Sequence, residues 1–386
     1  MFHEWMSKKF LKSLEGIDHG SLTLTLPDGK TCLFSGIHPG PSADLLIHDT
    51  KVISMIVFRG DTGFAQAYQD GLCDTNDLSA LIELALLNDH ALKEYIFGTS
   101  LSQWMEKISY LLKLNTLTGS RKNIQAHYDL GNEFYKLWLD PTMTYSCALY
   151  GGTNDNLTQA QHNKYDRIID RLNASSGRVL EIGCGWGGFA ERATERGDFS
   201  VKGITLSDEQ HEFAAHRLAG KADIALEDYR HQSGQFDNIV SIEMFEAVGE
   251  KFWPSYFGKI AGVMKQGGRA MIQTITIDDK HFDRYRKGSD MIRSYIFPGG
   301  MLPGPSAFKQ QAEKAGLRVN DEFHFGADYA RTMKEWLDKF EGQHKSVLAL
   351  GFDEPFIRMW RFYLAACIAG FKTGRTSVMQ VELQHA

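Results

Sequence analysis

The sequence is poor in the features that mark secreted, membrane-spanning or nucleic-acid-binding proteins. Cysteine is scarce: Cys32, Cys73, Cys147, Cys184 and Cys367 are scattered through 386 residues, odd in number and without C-x-x-C spacing. That argues against a disulfide framework and a structural zinc site, and for a reducing compartment. No window approaches ~18 consecutive apolar residues, so no membrane-spanning helix is expected. The first twenty residues are amphipathic and mixed in charge, without the apolar stretch of a signal peptide. The formal net charge of −6 gives no global basic field for holding nucleic acid. His211, His216, His281 and His324 show no metal-ligand spacing, so no metal is expected. Internal repeats and low-complexity tracts are missing as well.

What is present is ordinary globular composition, 43% hydrophobic and 23% charged, enough for a sizeable core. Residues 1–110 read as a small α+β unit. A first helix is followed by SLTLTL and KTCLF around the turn Pro27-Asp28-Gly29, a hairpin signal. IHPGPS (37–42) reads as a loop and ADLLIHD (43–49) as a third strand. Helix periods then run from Lys51 to about Ile96, broken at Gly60, Gly63 and Gly71. The stretch 97–122 reads either as an inter-domain helix or as a membrane-surface helix with Lys113, Arg121 and Lys122 at the head groups, and 111–122 as a linker. From about 160 strands and helices alternate. The domain 123–386 is therefore expected to be α/β: a Rossmann-like, mostly parallel seven-stranded sheet with helices on both faces. Such sheets bind ligands beyond the carboxyl ends of their strands.

There the chemistry concentrates. VLEIGCGWGG (179–188) sets Gly183, Gly185 and Gly187 between a strand and a helix, with Glu181 on the strand just before them. Glycines let backbone approach a ligand closely. The spacing is GxGxG and no P-loop Lys-Ser/Thr follows, which suits the methionine end of S-adenosylmethionine (SAM) better than a pyrophosphate. A tight strand–helix turn without a ligand is the alternative. The usual ribose-binding acid after the second strand is replaced by ITLSDEQ, so Thr205, Leu206 and Gln210 would serve by backbone and amide contacts. Asp228 and Tyr229 are placed to flank an adenine, although Asp228 also suits a helix cap.

With these stand HYDLGNEFY (127–135), TYSCALY (144–150), GITLSDEQ (203–210), EMFEAVG (243–249), YIFPGGMLP (295–303) and FGADYART (325–332). The set resembles the cyclopropane-fatty-acyl-phospholipid synthases and mycolic acid methyltransferases. The likeness covers about 127–332, and residues 1–110 resemble the family's smaller lipid-facing domain more weakly. The resemblance implies a SAM-dependent C-methyltransferase acting on the cis double bond of an unsaturated acyl chain in a membrane phospholipid. Ring closure would give a cyclopropane; proton loss from a chain carbon would give a methylated or methylene product. It also implies transient contact with the inner membrane face, a homodimer, and a bound bicarbonate that takes up the proton.

Such a reaction needs a dry tunnel, π-rich or negative walls around a developing carbocation, and a base. The positions matching the bicarbonate pocket are Cys147, Glu246, Gln273, the backbone of Ile275, and Tyr329. Glu246 follows a buried-looking strand and should have a raised pKa; an N-cap or surface acid is the alternative. Cys147 alone would be a small buried residue. Tyr145 and Ser146 should line the SAM side. Gln273 stands where many bacterial synthases carry histidine, and an amide cannot relay a proton. Plant-type and unsaturated-fatty-acid methyltransferases look alike here. The segment 358–371 reads as helix core. Two other readings are a lipid-binding protein without turnover, prompted by Gln273, and a small-molecule O- or N-methyltransferase.

Overall fold

The computed structural model describes residues 2–97, 116 and 130–386, in two compact units. The helix expected over 97–122 and the linker over 111–122 fall almost wholly outside the described residues, as does the start of the HYDLGNEFY motif.

One unit holds the described residues up to Phe97 together with Arg284–Ile296 and Trp336–Arg375. Helix α1 (Phe2–Leu14) leads into β1 (His19–Thr25), β2 (Thr31–Ser35) and β3 (His38–Ile47). Helix α2 (Lys51–Gln69), the short β4 (Cys73–Asp74), α3 (Leu78–Leu87) and α4 (Asp89–Phe97) follow. The strands form a sheet in the order β2-β1-β3-β4. The hairpin is present: Leu24 pairs with Cys32 across the turn. The expected loop at 37–42 is instead the first half of β3, parallel to β1. Its prolines are tolerated because β4 pairs only with Leu46 and Ile47, which leaves the other edge of Pro39–Pro41 without a described ladder. The break anticipated near Gly60 is a kink inside α2, where Gly60 has φ 60°. The helix Glu354–Lys372 packs on α2 and α3, with Phe362 against Phe64 at 5.4 Å and Arg358 paired to Asp74 at 2.8 Å. The sequence division had assigned this helix to the 123–386 domain. An apolar helix shows in sequence that it is buried, not against which sheet.

The other unit holds the described residues from Thr116 to Asp283, Phe297–Glu335 and Thr376–Ala386. Its helices are α5 (Asn132–Lys136), α6 (Leu157–Arg171), α7 (Gly188–Arg196), α8 (Asp208–Arg217), α9 (Trp253–Val263), α10 (Asp279–Tyr285), α11 (Pro305–Lys314) and the start of α12 (Gly326–Gly342). The strands β5 (Ser176–Ile182), β6 (Asp198–Thr205), β7 (Asp223–Leu226), β8 (Phe236–Ile242), β9 (Met264–Ile277), β10 (Leu317–His324) and β11 (Thr376–His385) form one sheet, ordered β10-β11-β9-β8-β5-β6-β7. Only β11 runs against its neighbours. The central strands read as unbroken apolar runs because both faces are covered. Val179, Leu180 and Ile182 on β5 and Ile239 and Val240 on β8 are buried. One face packs Ile168 and Ile169 of α6, its C-cap Leu172, and Phe189, Ala190 and Ala193 of α7 onto Val179, Val201 and Val240. Each fully buried side chain of this kind stabilises by roughly 1.5–3 kcal/mol. The carboxyl ends of β5, β6, β8 and β9 are thereby brought to one rim.

Candidate active site

At that rim lies a cleft of about 920 Å³, counting the part open to solvent. Its floor is the turn after β5. Gly183 has φ 82°, and a Cβ there would meet the side chain of Met244 at 2.8 Å, so both the turn and the tight approach require glycine. Gly187, left-handed at φ 85°, caps α7, and a Cβ on it would strike Leu218 at 2.8 Å.

Of the residues expected to hold the cofactor, Tyr145, Ser146, Glu181, Gly183, Gly185, Thr205, Leu206, Gln210 and Tyr229 line the cleft. Gly187 does not; it shapes the helix start instead. Asp228 does not line it either. Its Oδ1 accepts from the Arg230 amide at 2.9 Å and its Oδ2 from Arg230 Nη2 at 2.6 Å, so it is the cap that the sequence left open as an alternative. Burial works against the charge, but Arg230 outweighs it and holds Asp228 below the usual carboxylate range. The acid that does reach the cleft is Glu227, one residue earlier. It accepts from Lys202 at 2.9 Å and Gln232 at 2.5 Å.

Glu181 is 2% exposed and its Oε2 has no hydrogen-bond partner. Burial pushes its pKa up to about 8 against the pull of Lys164 and Arg217. An unpartnered buried carboxyl is costly. Here it lines a cleft of the right setting for the cationic amino-acid end of SAM. By that test the residues present fit the cofactor.

The TYSC segment is fixed from behind by one face of α6. Gln161 Nε2 donates to Ser146 O at 2.9 Å, Lys164 Nζ lies 2.5 Å from Ser146 Oγ, and Thr144 Oγ1 is 3.0 Å from Tyr165 OH. Lys164 is fully buried, which lowers its pKa to about 8. From α12, Thr332 Oγ1 accepts from Ala148 N at 3.2 Å and Asp328 Oδ2 from Tyr150 N at 2.9 Å. Tyr145 packs with Tyr135 and Trp138, centroids 5.5 and 5.3 Å apart, giving the cleft a π-rich wall.

Beside the cleft is a dry polar cluster, and its centre is a residue the sequence reading passed over. Glu243 Oε1 accepts from the Cys147 amide at 2.8 Å and from Gln273 Nε2 at 2.8 Å, and Glu243 Oε2 accepts from Tyr329 OH at 2.5 Å. These donors go to Glu243 rather than to Glu246, which was expected in the same pocket. Glu246 sits behind, its Oε1 accepting from the Ile275 amide and its Oε2 buried without a partner. Burial and the neighbouring Glu243 charge push Glu246 up to about 8. Glu243 is also raised by burial, but Tyr329, Lys164 and the Cys147 amide oppose that. Tyr329, Lys164, the Cys147 amide and Gln273 favour charge on Glu243, and that charge opposes a second one on Glu246, so the proton at neutral pH belongs on Glu246. Burial also raises the Cys147 thiol far above its ordinary range, so it stays protonated and is no nucleophile.

Glu243 follows β8 directly and has a left-handed backbone, φ 52°. Outside glycine that conformation costs on the order of 1 kcal/mol and is typical of functional positions. No periodicity reports it; the one sequence signal is a second acid three residues before Glu246. Gln273 is in turn oriented from the neighbouring strand β11, where Gln380 is its direct partner. Gln380 Nε2 donates to Gln273 Oε1 at 3.0 Å, and Arg167 Nη1 donates to Gln380 Oε1 at 2.6 Å while Nη2 pairs with Asp321 at 2.9 Å. A guanidinium only donates, so it fixes which way both amides point and turns the Gln273 NH2 toward Glu243.

The bicarbonate implied by the resemblance was to be held by Cys147, Glu246, Gln273, Ile275 and Tyr329. The amide of Cys147, the Gln273 NH2 and the Tyr329 hydroxyl already donate to Glu243, and the Ile275 amide donates to Glu246. The two glutamates thus take the donors of Cys147, Gln273, Tyr329 and Ile275 that a further anion would need, and those four residues do not fit one.

Residues 115–381 match the family model described as mycolic acid cyclopropane synthetase. The chain is 34% identical to a tuberculostearic acid methyltransferase of Mycobacterium tuberculosis, over 94% of this chain and 87% of that protein. It is 35% identical to a cyclopropane-fatty-acyl-phospholipid synthase of Escherichia coli, over 89% and 88%. Among solved structures it is similar to the mycolic acid cyclopropane synthase CmaA1 complexed with SAH and CTAB, with TM-score 0.64 and 30% identity over 68% of this chain and 98% of that one.

Proposed function

Since the chain belongs to the mycolic acid cyclopropane synthetase family and is a SAM-dependent methyltransferase, we propose that it adds the SAM methyl carbon to the cis double bond of an unsaturated acyl chain in a membrane phospholipid. The observation that carries this is the continuity of the two sites: the cofactor cleft runs up to Glu243, and behind Glu243 lies a fully buried cluster of Cys147, Gln273 and Tyr329.

SAM supplies an electrophilic methyl on a sulfonium. The protein does the rest. Glu181 and the glycine turn seat the amino-acid end of the cofactor, and Thr205, Leu206, Gln210 and Tyr229 its nucleoside. The aromatic wall at Tyr145 stabilises positive charge developing on the acyl chain. Burial of the cluster excludes water, which would otherwise capture the cation. Loss of a proton from the added methyl closes a cyclopropane. Loss from a chain carbon instead gives a methylated or methylene product, a second reading favoured by Gln273, which cannot shuttle a proton. Among the described residues no helix is long and apolar enough to cross a membrane. Access from the membrane surface, on its cytoplasmic face, is part of this proposal.

Incubation with methyl-labelled SAM and vesicles of dioleoyl phospholipid should place label in the acyl chains, and mass spectrometry distinguishes ring from branch. Label appearing in water-soluble acceptors and never in lipid would discard the assignment.

A further inference from the structure

We infer that Glu243 is itself the base of the alkylation, a carboxylate built into the chain where the resemblance calls for a bound bicarbonate. The inference rests on the alkylation reading above and deepens it.

Four observations carry it. First, of Cys147, Glu243, Glu246, Gln273, Ile275 and Tyr329, Glu243 alone lines the cleft. It is the member of the cluster that a substrate beside the cofactor would meet. Second, its carboxylate takes the three donors that would hold an exogenous anion. A carboxylate has about four acceptor sites. Two on Oε1 and one on Oε2 are used, so Oε2 keeps one site for a proton. Third, the left-handed backbone at Glu243 is an uncomfortable place for any side chain, and the fold holds it there with Glu243 N donating to Gln273 O at 2.8 Å. Fourth, the surroundings separate the two acids. Lys164 and three donors favour charge on Glu243, while Glu246, buried and facing that charge, holds the proton.

The step balances without a further reactant. The alkene π pair forms a bond to the SAM methyl, the sulfur–methyl bond breaks, and its pair stays on sulfur as S-adenosylhomocysteine. A C–H bond of the added methyl, or of a neighbouring chain carbon, then breaks. Its pair closes the ring or forms a new double bond, and the proton moves to Glu243 Oε2, from which it is lost to solvent before the next turnover.

The test measures S-adenosylhomocysteine and alkylated lipid with dioleoyl phospholipid vesicles, in buffer stripped of carbon dioxide and in the same buffer with millimolar sodium bicarbonate. The wild-type rate should be the same in both. Glu243→Gln should bind SAM normally, keep its Tm, and lose about 100-fold or more in rate. Glu243→Gly, which suits the left-handed backbone and vacates the donors, should be slow and be rescued by added formate or bicarbonate. A wild-type enzyme accelerated by bicarbonate, or a Glu243→Gln enzyme of near-normal rate, overturns the inference; the first of these needs no variant to fold. Wild-type protein that makes no S-adenosylhomocysteine with lipid sinks the alkylation reading itself.

Discussion

The cofactor cleft and the cluster at its edge share Glu243 and are otherwise built in opposite ways. In the cleft, polar groups are left wanting: the Glu181 carboxyl is buried with one oxygen unpartnered, above a turn of glycines with no side chains to fill the space. In the cluster each donor facing Glu243 is already engaged, and even the amide beyond it is pinned by Gln380 and Arg167. An unsatisfied buried group costs stability until a ligand arrives, whereas a satisfied network needs none and is rigid. The contrast separates what the protein borrows from what it brings.

The comparison breaks most decisively at Glu181. Glu181→Ala should weaken SAM binding by roughly 10- to 100-fold, the worth of a charged hydrogen bond, with little loss of Tm. Calorimetric titration reads it; unchanged affinity would mean that Glu181 is a structural acid. For the wild type, SAM affinity should rise with pH up to about 8 and level off above it, because the cation replaces the proton Glu181 holds when free. Proton release on binding, measured in buffers of differing ionisation heat, checks the sign.

The cluster should answer in stability. Gln273→Leu leaves Glu243 and Gln380 each short of a partner, and should cost about 1–3 kcal/mol in denaturant melts. Glu246 titrates near 8 in the folded chain and near 4.5 as an ordinary glutamate. Between those values the folded state binds the extra proton, so this stabilisation is complete below 4.5 and lost as pH rises through 8. Glu246→Gln should flatten that part of the decline in Tm. The smallest effect is expected of Arg167→Met, which frees Gln380 to flip; a modest fall in rate with SAM affinity unchanged would mark it as a positioning residue.

How much of this was legible in the sequence follows the same division. The parallel sheet, its rim and most of the cleft residues were readable because strand–helix alternation and a glycine turn are local patterns. The cap role of Asp228 was open to either reading, since capping and ligand binding ask for the same residue type one position apart from Glu227. The centre of the cluster was not readable. Strand β8 ends at Ile242, and the left-handed backbone of Glu243 redirects its side chain, so the contacts of Glu243 with Cys147, Gln273 and Tyr329 could not be read from the strand pattern. The partners of Gln273 were out of reach too: Gln380 lies 107 residues away, and only the pairing of β11 with β9 brings them together.

That pairing also sets a schedule. Strand β11 is inserted between β9 and β10, both synthesised before it. Domains fold progressively as they leave the ribosome. This one can form its nucleotide-binding half early, yet the orientation of the Gln273 amide waits until residues past Thr376 have emerged. In the growing chain the Gln273 amide is therefore the last part of the cluster to gain its neighbour, long after the glycine turn has been made.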